Sequence, residues 1–91
     1  MFTIISYDVV EDKRRTLVMK LLKGYGTRVQ YSVFECELTA TQLATVLAQA
    51  RSLVDVNTDS VRCYLLDAAA VTRIQIIGIG RVTTEPTHYM V

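Results

Sequence analysis

Thr27-Arg28-Val29-Gln30-Tyr31-Ser32-Val33-Phe34-Glu35-Cys36-Glu37-Leu38 is the stretch on which the fold turns. Val29, Val33, Phe34, Cys36 and Leu38 give it strand character, yet clean alternation begins only at Phe34. A bend or tight reversal near Tyr31-Ser32 resets the phase and splits the stretch into two short strands. Upstream, Gly24 and Gly26 flank Tyr25 and stop a helix. That helix runs from Asp12 to Lys23, with Leu17, Val18, Leu21, Leu22 and then Tyr25 at helical spacing. Lys13, Thr16, Lys20 and Lys23 fall on its other side, and Glu11 and Asp12 put negative charge where a helix N-terminus favours it. Before it, Phe2-Thr3-Ile4-Ile5-Ser6-Tyr7 reads as a buried strand ending at Asp8.

Downstream, Thr39-Ala40-Thr41-Gln42 is a capping-box pattern. It opens a second helix whose apolar positions are Leu43, Val46, Leu47, Ala50, Leu53 and Val54. After the loop Asp55–Asp59, Val61, Cys63 and Leu65 alternate as a half-buried strand. Asp67–Val71 is a turn or short helical connection, and Ile74–Ile79 reads as a last strand closed by Gly80.

The resulting order, β-α-β-β-α-β with an added C-terminal strand or tail, predicts an α+β, ferredoxin-like sandwich. The domain spans residues 1–80, and residues 81–91 form a tail suited to docking a partner as a strand. In such a fold two helices cover one sheet face and leave the other bare, so a homodimer is expected.

Ninety-one residues allow one domain with a modest core. A composition 51% hydrophobic and 21% charged, with one Pro and four Gly, excludes a disordered tail or low-complexity linker. No apolar run is long enough to cross a bilayer. Met1–Val10 lacks a basic start and a cleavage site, so a secretory signal is not expected. Cys36 and Cys63 are too few for a disulfide scaffold and lack metal-ligand spacing, which suits a reduced, cytoplasmic protein.

The net charge of +1 conceals an uneven distribution. Asp8, Glu11 and Asp12 give residues 1–12 a charge of −3. Lys13, Arg14, Arg15, Lys20, Lys23 and Arg28 give residues 13–28 a charge of +6 with no acid among them. This block reads either as a solvated helix face or as a phosphate-binding surface, and the salt dependence of binding separates the two.

Tyr7-Asp8, Lys13-Arg14-Arg15, the long string from Leu22 to Glu35, and Asp59-Ser60-Val61-Arg62-Cys63-Tyr64 together resemble the small CRISPR-associated endonuclease family. That family is the partner of the CRISPR integrase in spacer acquisition. The resemblance runs from about residue 2 to residue 80 and matches least after Gly80. It implies a homodimer with the two first strands facing each other across the two-fold axis, placed between integrase dimers and holding duplex DNA. It also implies divalent-metal-dependent cleavage, Mg²⁺ being the expected cofactor, of RNA or double-stranded DNA. The metal-binding acid maps onto Asp8. The basic residues of nucleic-acid contact or catalysis map onto Arg14 or Arg15 and Arg28, and the family's aromatic maps onto Phe34.

Mg²⁺ takes oxygen ligands and keeps several waters, so one Asp8 per chain is a poor site alone, whereas two copies across an axis can share an ion. Arg14, Arg15 and Arg28 suit the extra negative charge of the phosphorane. Local chemistry alone reads Asp8 as a strand-end aspartate that caps backbone. Phe34 reads first as a core residue, as strand phenylalanines more often are, and second as a base-stacking ring. Tyr7 and Tyr25 read as packing residues; Glu11 and Asp12 are candidates to join a metal site, though helix-start electrostatics explains them without one. The lone histidine, His88, sits in the tail and suits a surface better than a general base. Gly78 and Gly80 carry no phosphate-loop pattern.

Two classes of function follow: a metal-dependent phosphodiesterase using two Asp8 copies, and a non-catalytic duplex clamp using Lys13, Arg14, Arg15, Lys20, Lys23 and Arg28. A toxin-like ribonuclease on the same fold is the further alternative. An RNA-recognition module is disfavoured, because no strand carries two closely spaced aromatics on one face.

Overall fold

Seven elements follow one another in the computed structural model, which describes residues 1–83. They are β1 (Phe2–Asp8), α1 (Asp12–Lys23), β2 (Gly26–Gln30), β3 (Val33–Glu37), α2 (Ala40–Leu53), β4 (Ser60–Leu66) and α3 (Ala68–Thr72). The strands form one antiparallel sheet in the order β2-β3-β1-β4, the split βαβ topology of a ferredoxin-like α+β fold.

The reversal falls at Tyr31-Ser32, between β2 and β3. An irregularity in register between Arg28 and Gln30 is the physical source of the broken alternation: Arg28 pairs with Phe34, but Gln30 pairs with Val33. On β1, Thr3, Ile5 and Tyr7 are buried, and Ile5 and Tyr7 join the core with Phe34, Cys36, Val18, Leu22 and Val46. Both helices therefore cover one face. Ile4, Ser6 and Asp8 alternate onto the other face, half-buried at Ile4 and Ser6 and exposed at Asp8.

The second helix begins as the capping pattern predicts. The Gln42 amide donates to Thr39 Oγ1 at 3.1 Å, and the Thr39 amide donates to Gln42 Oε1 at 2.9 Å. On α1, Val18 and Leu22 are buried, but Leu17 is exposed and joins the outer face.

Two expectations need correction or completion. The Asp67–Val71 connection takes its helical option as α3, Ala68–Thr72, with extended Asp67 as N-cap, its Oδ1 accepting from the Ala70 amide at 2.7 Å. Ile74–Ile79, however, is not a strand, and Ile77 and Ile79 are fully exposed. β-branched residues favour strands only where they pack on neighbours, and among the described residues nothing pairs with this segment. Gly78 and Gly80, at φ +94° and +136°, interrupt the run further. The chain then returns to the sheet. The Thr83 amide and hydroxyl both donate to Glu35 Oε1, at 3.1 and 3.0 Å. Glu35 is the register partner of Ile4, so Thr83 sits on the face that α1 and α2 leave open. Among the described residues no helix is long and apolar enough to cross a membrane. His88 and most of the expected docking tail, residues 84–91, lie outside the described residues.

Candidate functional site

Asp8 ends the central strand opposite Ser60 of β4. Its carboxylate is exposed and accepts no hydrogen bond among the described residues. The turn that follows it is held from two sides. Arg15 reaches back from α1, donating from Nε to the Val9 carbonyl at 3.0 Å and from Nη2 to the Val10 carbonyl at 3.3 Å, while its Nη1 meets Asp12 at 2.5 Å. The Val10 amide donates to Asp59 Oδ1 at 3.1 Å. The guanidinium of Arg15 is held above its ordinary pKa chiefly by the Asp12 hydrogen bond, with Tyr31 and Asp8 adding smaller contributions.

Arg14 faces the other way. Its Nε donates to Asp59 Oδ2 at 3.0 Å and its Nη2 to Oδ1 at 3.4 Å, and Nη1 lies 3.5 Å from Glu11. The Asp59 side chain has no exposed surface and also accepts from the Asp55 amide and the Thr58 hydroxyl. The Arg14 hydrogen bond, reinforced by these others, holds its carboxyl well below the usual carboxylate range.

Arg28 braces the β2–β3 reversal. Its Nε and Nη2 donate to the Tyr31 carbonyl at 2.9 and 2.7 Å, and its guanidinium lies 4.8 Å from the Tyr31 ring centroid. Tyr7 donates its hydroxyl to the same carbonyl at 3.4 Å. Burial pushes that phenol's pKa up, and Arg28 opposes the shift. Phe34 is fully buried, its ring 6.4 Å from that of Tyr7 and inclined by 28°. A ring so placed offers no face to a base and instead supports Tyr7 from within the core.

The six basic residues thus separate into two sets. Arg14, Arg15 and Arg28 are committed to acceptors inside the molecule. Lys13, Lys20 and Lys23 are exposed along α1 and bond nothing among the described residues. The sequence put all six on nucleic acid, and Arg14, Arg15 and Arg28 on catalysis as well, but did not single out Asp59 as the hub; its place in the quoted Asp59–Tyr64 string was the signal available.

For a divalent cation, Asp8 is the carboxylate at this place not engaged by an arginine, Asp12 being held by Arg15, and no group of three or more His, Cys, Asp or Glu able to hold a metal ion occurs among the described residues. That fits Mg²⁺, which commonly takes one or two carboxylates plus phosphate oxygens and water, provided that the remaining ligands come from outside this chain.

Known proteins are similar to this chain in sequence and in fold. Residues 1–74 match the family described as CRISPR associated protein Cas2. CRISPR-associated endoribonuclease Cas2 3 of Chloroflexus aurantiacus is 59% identical over 91 residues, covering 100% of this chain and 98% of the relative. Among solved structures, Cas2 of Streptococcus pyogenes superposes with a TM-score of 0.77 at 36% identity, covering 86% of this chain and 100% of that one. A chain of a partial Cas6-RT-Cas1–Cas2 complex superposes with a TM-score of 0.60 at 27% identity, covering 85% and 91%.

Proposed function

Since this chain belongs to the CRISPR-associated Cas2 family, we propose that it acts in CRISPR adaptation as a homodimer that binds nucleic acid, docks the integrase, and cleaves phosphodiester bonds with a divalent metal. The exposed Asp8 carboxylate, presented at the braced end of the central strand, carries the reading. Relatives are named endoribonucleases, and one structural neighbour is a complex that contains Cas1 and Cas2, which supports both the cleavage and the integrase partner.

In this reading two chains associate through the sheet face that bears Ile4, Ser6 and Asp8, bringing their Asp8 carboxylates towards one axis. Those carboxylates hold Mg²⁺, which when bound offsets charge on the phosphate and makes water a better nucleophile. Arg15, fixed on the Val9 and Val10 carbonyls, keeps the Asp8 turn rigid and places positive charge beside it. Lys13, Lys20 and Lys23 bind the phosphate backbone of duplex DNA or single-stranded RNA without reading sequence.

A non-catalytic clamp is the second reading. The observation favouring it is that the exposed lysines lie along α1, an element that does not include Asp8, so a phosphate backbone laid on them needs no help from that carboxylate. Cleavage of labelled duplex DNA and single-stranded RNA by wild type and Asp8→Ala, with Mg²⁺ titrated and binding recorded in the same samples, decides between them. Metal-dependent cutting that vanishes in Asp8→Ala supports the nuclease and shows its substrate. Cutting that survives the substitution contradicts the Asp8 site, and salt-sensitive binding without cutting by either protein leaves the clamp.

A further inference from the structure

We propose that Asp59 is the positioning residue for the Asp8 turn, and that Arg14 is its strut rather than a phosphate ligand. The inference rests on the site proposed above and extends it to a residue outside that site. Asp59 lies far along the chain from the turn, yet its enclosed carboxylate is the acceptor for the Val10 amide, 49 positions away. The same two oxygens take the Arg14 guanidinium from α1 and the Asp55 amide from the α2–β4 loop. The next residue, Ser60, is the register partner of Asp8. One carboxylate therefore joins three segments around Asp8: the β1–α1 turn, the first turns of α1 and the entry to β4.

The chemistry demands an acid at this place. Each oxygen of Asp59 receives one backbone amide and one guanidinium nitrogen, so both must accept. An asparagine keeps the shape but turns a donor towards donors. Nε and one N–H of Nη2 of Arg14 bond Asp59 and its Nη1 lies beside Glu11, so a phosphate taken bidentately on the Nε–Nη2 edge would break this latch.

The test uses the full chain as wild type, Asp59→Asn and Arg14→Gln. In Asp59→Asn, hydrogen exchange at the Val10 and Asp55 amides quickens by about tenfold or more while exchange at Ile5 is unchanged. Cleavage loses kcat by about tenfold or more with KM retained, as expected when a reacting group is displaced and substrate affinity is untouched. In Arg14→Gln, exchange at Val10 also quickens, but the slope of log Kd for duplex DNA against log salt stays at the wild-type value. Were Arg14 bound to a phosphate, its removal would reduce that slope by about one. Arg14→Gln carries the exchange readout even if Asp59→Asn does not fold. Unchanged Val10 exchange in the variants that fold, or a reduced slope in Arg14→Gln, overturns the proposal. So does full kcat despite faster exchange. If wild type does not cut at all, the nuclease reading falls by itself, and the exchange rates and salt slope still decide whether Asp59 holds the turn.

Discussion

Gly26 lies so close to Cys36 that a β-carbon added to it would stand 2.4 Å from the Cys36 Sγ and equally close to the Glu35 carbonyl oxygen. The two residues are register partners on β2 and β3, and Cys36 is buried in the core. The glycine is therefore needed for close packing, and the helix before it ends without any left-handed residue, Gly24 having φ −74°. Gly26→Ala must push β2 away from β3 and is expected to cost about 1–3 kcal/mol in urea unfolding. A change below about 0.5 kcal/mol would show that the strand pair yields freely.

Asp59 predicts an acid-sensitive stability. Its folded-state pKa is depressed, first by Arg14, so its contribution is complete above the ordinary carboxylate value of about 4. That contribution begins to be lost as the pH falls below this value, and goes on being lost down to the lower folded-state value. The stability gap between wild type and Asp59→Asn should accordingly shrink between about pH 7 and about pH 3 in urea titrations. A gap that is constant over this range contradicts the assignment.

The thiols are expected to be inert in the native state. Burial first, then Cys63 and Glu35, pushes the Cys36 thiol up to about 11, and burial also raises Cys63. With so little thiolate at about pH 8, an aromatic disulfide reagent should label Cys36 only as fast as the protein opens, and Cys63 faster. Rapid labelling of Cys36 in the folded protein would place it elsewhere than in the core.

Replacing Lys13, Lys20 and Lys23 by Gln tests the partition of the basic block. The slope of log binding constant against log salt for duplex DNA should fall by up to about 0.9 for each lysine that meets a phosphate. An unchanged slope would return the α1 lysines to the status of a solvated face.

Much of this architecture was legible because it is local. The Thr39–Gln42 box, the period of Val46 and Ala50, and the broken phase at Tyr31-Ser32 are read within a few residues and appear where expected. Ile74–Ile79 misled because strand propensity does not reveal whether a neighbour exists to pair with, and here Ile77 and Ile79 meet solvent. At the site, the charge of Arg14, Arg15 and Arg28 was visible but its use was not. Apart from Asp12, an i,i+3 partner of Arg15 that the charge pattern does show, their acceptors are the Val9, Val10 and Tyr31 carbonyls and a carboxylate 45 residues distant, none of which a charge pattern announces. Phe34 shows the converse: the general tendency of strand phenylalanines to be buried pointed to the core, the resemblance pointed to a functional ring, and it stands in the core.

Mixing wild type with Asp8→Ala in varied proportion, after the chains have exchanged, tests most directly whether two Asp8 carboxylates make one site. The account predicts that metal-dependent cleavage falls as the square of the wild-type fraction, because a mixed dimer carries only half a site. Cleavage that falls in simple proportion to the wild-type fraction would mean that each chain works alone, and would contradict it.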